Sequence, residues 1–158
     1  MKFNTLFVPI GAATAIAGAL PGVAPASAFP PAHVDLVIDV ATYMAHGGLA
    51  NTAAIRRGTQ EHNIVKRTPG NVYLCTEPNF TGYCVYITGA FNGGCVDLAF
   101  DLDNKVASFG PDEGQACEIR LDHGCTGNGL SNILWPGIAD LRSPYGLANV
   151  VSSYHCFW

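Results

Sequence analysis

Basic side chains are scarce over most of this chain. From Thr68 to Trp158 there are three, Lys105, Arg120 and Arg142, against nine carboxylates, a net charge of −6 where the whole chain carries only −4. An acidic surface repels phosphate backbones and anionic headgroups, which argues against nucleic-acid binding and against cation-driven attack on membranes. A G-x-S-x-G nucleophile motif is also missing, as are C-x-x-C pairs at metal-ligand spacing and any convincing helical period beyond residue 68. Zinc therefore lacks its usual ligand pattern, and this part of the chain does not read as helical. Two histidines remain there, His123 and His155; His123 beside Asp122 reads as a solvated loop pair rather than a general base. Asp97, Asp101 and Asp103 stand at even spacings, as glycosidase carboxylates on one strand face could, but they fall in an acidic loop. No catalytic residue is assigned, and the chain is expected not to be an enzyme.

What is present begins with a leader. Lys2, a mostly apolar run to Leu20 and the triplet Ala26-Ser27-Ala28 read as a secretory signal over residues 1–28. No later run is apolar for long enough to span a bilayer. Lys66-Arg67, followed by Thr68-Pro69-Gly70, is an expected processing site in a turn-prone stretch, with Arg56-Arg57 a weaker one. Residues 29–67 then form a weakly structured pro-segment. Val34, Val37, Ile38, Ala41 and Met44 give it one marginal helix over His33–Leu49, stopped by Gly47-Gly48.

Residues 68–158 remain as one small domain, of a size at which a hydrophobic core alone gives only a few kcal/mol. All six cysteines, Cys75, Cys84, Cys95, Cys117, Cys125 and Cys156, lie in it. An even number in a secreted chain reads as three disulfides, each contributing about 2 to 4 kcal/mol. Eight short strands are expected, over 71–76, 82–88, 95–98, 105–109, 116–121, 130–135, 138–141 and 150–157, separated by turn residues, as in an all-β sandwich. In the second, Tyr83, Val85 and Ile87 alternate with Cys84 and Tyr86. The segment from Cys75 to Phe109 has a partial echo from Cys117 to Tyr154, which suggests a duplicated unit.

Two motifs carry a resemblance. Phe80-Thr81-Gly82 closes a turn opened by Cys75, with Cys125-Thr126-Gly127 in the corresponding place of the second half. Asp103-Asn104-Lys105-Val106-Ala107-Ser108 is echoed by Ala148-Asn149-Val150-Val151-Ser152-Ser153. These residues resemble the βγ-crystallin-like family, in particular its small secreted microbial members with one domain of two Greek-key motifs. The resemblance implies a βγ-crystallin-like Greek-key β-sandwich in which Ser108 and Ser153 pack against folded hairpins. It also implies a calcium site drawing on Asp103, Asn104, Asn149 and Ser152, although Ala107 and Ala148 each remove one oxygen from the family's loop. The motif layout suggests bridges Cys84–Cys95, Cys125–Cys156 and Cys75–Cys117, while sequence order alone leaves fifteen pairings open.

Asn79-Phe80-Thr81 is an N-glycosylation sequon. Trp135 and Trp158 are candidate binding anchors. The resemblance and the secreted, stapled character together point to an extracellular antimicrobial or killer-type toxin, effector or protease inhibitor. The alternative is a calcium-binding structural or cell-wall-associated protein. No other cofactor is expected, the partner is an extracellular protein or cell-surface target, and the chain is expected to be a monomer.

Overall fold

The computed structural model describes residues 34–46 and 68–158. The expected signal segment and both dibasic pairs lie outside them. Strands β2 (Val72–Glu77) and β3 (Thr81–Thr88) form an antiparallel hairpin, and β5 (Ser108–Pro111) pairs with the other edge of β2. The second half repeats this arrangement. Strands β6 (Ala116–Asp122) and β7 (Thr126–Leu134) form a hairpin, and β8 (Ser153–Phe157) pairs with the other edge of β6.

The third strand of each unit leaves its own sheet. Strand β4 (Cys95–Asp97) pairs with β8 in the second sheet. Its counterpart in the second unit is reduced to one bridge, where Ile138 and Phe109 exchange backbone bonds of 2.8 and 3.0 Å in the first sheet. An expected strand over 138–141 is thus a single pairing, because Gly137 turns with φ +98° against the Phe109 carbonyl. The expected strand over 105–109 starts later, at Ser108.

Alternation sets the core. Val72, Leu74, Val85 and Ile87 point between the sheets to meet Val96, Ile119 and Tyr154. On the outer face of the first sheet Tyr73, Cys75, Cys84 and Tyr86 are buried under Phe80 and Ala139, with Trp135 packed against them. Both faces of that sheet are covered, so β2 and β3 read as apolar almost throughout.

All six cysteines are paired, as Cys75–Cys84, Cys95–Cys125 and Cys117–Cys156. None of the three pairings suggested by motif layout is present. Strand register puts Cys75 opposite Cys84 and Cys117 opposite Cys156. Cys95 leaves with β4 for the second sheet, away from Cys84 and beside the turn that carries Cys125.

Residues upstream of the dibasic pairs join the first sheet. Strand β1 (Leu36–Asp39) runs parallel to β3, giving the order β1-β3-β2-β5 beside β4-β8-β6-β7. Helix α1 (Val40–Ala45) follows, with Asp39 as N-cap accepting from the Thr42 amide at 2.9 Å. The expected helix therefore holds only for its second part. A short isolated helix is marginal, whereas the free edge of β3 takes Leu36 to Asp39 in parallel register, Leu36 opposite Val85 and Asp39 opposite Thr88.

Candidate functional site

The two halves meet at their six-residue loops, and the contact is reciprocal. The Asn104 amide donates to Val151 O at 3.0 Å, and the Asn149 amide donates to Val106 O at 2.9 Å. Both asparagines hold left-handed backbone, φ +56° and +61°, a conformation asparagine tolerates better than most residues. Ala107 N donates to Cys75 O, and Ser152 N to Arg120 O, each at 2.9 Å. Ser108 Oγ donates to Glu77 O at 2.8 Å and Ser153 Oγ to Asp122 O at 2.5 Å. Each serine thus holds the end of a hairpin's first strand at the bend. The bends match too: Phe80 and Cys125 share φ +56°, and Gly82 and Gly127 follow at +77° and +73°. A Cβ on Gly82 would sit 2.8 Å from Thr76 Oγ1, so the bend requires glycine.

Around this loop pair lie the acidic residues singled out in the sequence. Asp103 and Asp97 flank His123, with carboxylate oxygens 3.7 Å from Nε2 and 3.6 Å from Nδ1. Asp97 also accepts from the Gly124 amide at 2.5 Å. Asp101 turns elsewhere and accepts from the Tyr43 hydroxyl at 3.2 Å. The three carboxylates therefore do not share one face. His123 pairs with Asp97 and Asp103 across the halves rather than with its neighbour Asp122.

Of the expected calcium ligands, Asp103 keeps one oxygen, Oδ1, buried without a hydrogen-bond partner. Asn104 and Asn149 are exposed, and Ser152 is 4% exposed. No cluster of three His, Cys, Asp or Glu suited to a metal is found among the described residues. Asn79 is exposed while its neighbour Phe80 is buried. Trp158 is half-exposed, with its backbone clamped by Asn92 through bonds of 2.6 and 3.3 Å.

Sequence reading missed a buried polar knot next to Thr68. Asp112, 1% exposed, accepts from the Tyr86 hydroxyl, from Asn71 Nδ2 at 3.1 Å and from the Thr68 amide at 3.1 Å. Gln115 ties it further, accepting from the Gly70 amide at 2.8 Å and donating to Asn71 O at 2.6 Å. The polar residues flanking β2 and β6 were the only signal, and they read equally well as turn chemistry. A second polar group lies on the outer face of the second sheet, where Glu118 faces His155 at 2.9 Å and pairs with Arg120. The bonds from His155 and Arg120 hold the Glu118 carboxyl below the usual glutamate range.

Two Greek keys that exchange their third strands, each with a serine-fastened folded hairpin, define a double Greek-key β-sandwich. In that class this is a βγ-crystallin-like fold. No protein-family model matches the sequence, and no curated protein matches it. Similar solved structures include one from work on the evolution of the eye-lens βγ-crystallin domain fold, 23% identical with TM-score 0.48, covering 56% of this chain and 86% of that one. A βγ-crystallin domain of Abundant Perithecial Protein from Neurospora crassa, in its Ca2+-bound form, is 19% identical with TM-score 0.42, covering 56% and 89%. A βγ-crystallin from Ciona intestinalis is 22% identical with TM-score 0.43, covering 54% and 98%.

Proposed function

We propose that this protein is secreted and acts outside the cell by binding rather than catalysis, as an antimicrobial or killer-type toxin, effector or protease inhibitor. The observation that carries this reading is the covalent frame. One bridge ties β2 to β3, one ties β6 to β8, and one ties β4 to the bend of the second hairpin. Such a frame suits an oxidising medium and gives rigidity to a surface. The test is to apply the processed protein to competitor microbes, host tissue and a panel of proteases. Growth arrest or inhibition supports the reading, and no effect in any arm removes it.

Processing after Arg67 is part of the same proposal. Hydrolysis of the Arg67–Thr68 bond adds water and turns the Thr68 amide into an ammonium group, at a nitrogen 3.1 Å from the buried Asp112 carboxylate. The other oxygen of that carboxylate, Oδ1, is buried with no hydrogen-bond partner. A charge-assisted bond there would favour the cut form. The cut chain should melt higher with its Thr68 amine free than with that amine acetylated, and Asp112→Asn should abolish the difference. Equal melting of the free and acetylated cut chains would remove this part.

A calcium-binding structural role is the second reading, favoured by the partnerless Asp103 Oδ1 at the reciprocal loops. Calorimetry with calcium decides it: heat lost in Asp103→Asn supports it, and no heat with the wild type ends it.

A further inference from the structure

The second strands of the two hairpins, β3 and β7, differ in character. The outer strand of the second sheet, β7, contains Gly127, Asn128 and Gly129, has Asn132 in left-handed backbone at φ +59°, and pairs with β6 through two register shifts. Such a strand is twisted and poorly suited to accept another. Strand β3 is the opposite: eight residues, TGYCVYIT, rich in β-branched and aromatic side chains, and already occupied along its outer edge.

The occupant is bound by more than pairing. Asp35 donates its amide to Cys84 O at 3.0 Å and accepts the Cys84 amide on Oδ2 at 2.7 Å, closing a two-point clamp at the start of the strand. Thr88 Oγ1 donates to Ile38 O at 3.3 Å at the other end. Ile38 and Val40 enter the main core, and Tyr43 is fully buried. The Tyr43 hydroxyl accepts from the Ala99 amide at 2.9 Å and donates to Asp101 Oδ1 at 3.2 Å. A socket that supplies both a donor and an acceptor reads a phenol, and discriminates strongly against a ring without the hydroxyl. No disulfide holds residues 34–46; every bridge lies within 75–156.

We propose that the β3 edge and the Tyr43 socket form a binding site for a strand-then-helix segment of a partner protein, masked in cis by residues 34–46. The partner segment has the chemistry of the mask: an acidic residue, an aliphatic one three positions on, and a tyrosine eight positions on. It adds to the sheet as a parallel strand. While the chain is intact, its covalent continuity with residues 68–158 keeps the mask from diffusing away, so its rebinding is intramolecular. A cut at Lys66-Arg67 removes that advantage, and in dilute secreted protein the mask dissociates. This inference rests on the processing and binding role proposed above and specifies its surface.

The full chain tests it, cut after Arg67 by a dibasic-specific protease or through a specific protease sequence placed there. The N-terminal fragment should separate from the disulfide-bonded part on gel filtration at nanomolar protein. A fluorescent peptide of residues 34–46 should then bind the cut chain at least tenfold more tightly than the uncut one. The same peptide with Tyr43→Phe should bind at least tenfold more weakly. A fragment that stays bound at nanomolar protein overturns the mask, and equal binding of wild-type, Tyr43→Phe and scrambled peptides overturns the site. Antimicrobial or inhibitory activity of a cut chain that ignores the peptide sinks this inference alone. Specific peptide binding without activity in any assay leaves the site standing and removes the wider reading.

Discussion

Ser153 and Ser108 occupy equivalent places, but they are not equally burdened. Ser108 Oγ donates to one carbonyl, whereas Ser153 Oγ both donates to Asp122 O and accepts from the Cys125 amide at 3.1 Å. Replacing either with alanine strands the backbone groups it served. Ser108→Ala should cost about 1 kcal/mol and Ser153→Ala about 2 to 3 kcal/mol, read from urea midpoints. Glu118 provides a pH-dependent term. Its carboxyl ionises at lower pH in the folded chain than the ordinary glutamate value of about 4.5, because His155 and Arg120 bond to its charged form. As pH falls below that value the unfolded chain takes up this proton first, so the stability Glu118 contributes is present above it and disappears through the depressed folded value. Denaturation midpoints should therefore fall on acidification below about pH 4.5, and the fall should be shallower in Glu118→Gln.

Among the elements, β1 and α1 depend most on a single side chain. Tyr43 is held neutral by burial and by the adjacent Asp101 carboxylate, so its hydroxyl keeps the proton it donates. Removing the ring takes away the anchor that fixes α1, and with it the reason for β1 to stay on the edge. In Tyr43→Ala, exchange of the Cys84 amide, which Asp35 protects, should accelerate tenfold or more, while the Leu74 amide in the centre of the sheet should hardly change. Equal acceleration at both would mean that residues 34–46 are integral to the fold. Segments held by one anchor open locally before the whole molecule does.

For the whole molecule the bridges differ in reach. Cys75–Cys84 closes a separation of 9 residues, and Cys117–Cys156 one of 39. Loop-closure entropy then ranks the second as the more stabilising, by about 1 kcal/mol, if the unfolded chain behaves as a simple coil. Replacing each pair with alanines and comparing denaturant midpoints checks the order. Cys95–Cys125 has a different task, because it joins the strand lent by the first unit to the hairpin bend of the second. Its removal should loosen the contact between the units as well as lower the midpoint.

Much of this was legible without coordinates, for a physical reason. Period-two alternation in Tyr83 to Ile87, the glycine that a folded bend needs at Gly82, and serines at the ends of two matching loops are local demands, so each leaves its mark in adjacent residues. An even count of cysteines likewise foretold three bridges. Pairing among them was settled only by register and by the crossing of β4 into the other sheet, which are long-range choices that sequence order does not encode. The same holds for residues 34–46: their spacing favours a helix, yet an open strand edge and a phenol-sized socket in the distant β-domain convert half of that stretch into a fourth strand. Local chemistry determined the hairpin bends and the strands that flank them; the tertiary structure alone decided that residues 36–39 become a strand, and which partners the strands and sulfurs would find, because partners are chosen by burial and distance in space.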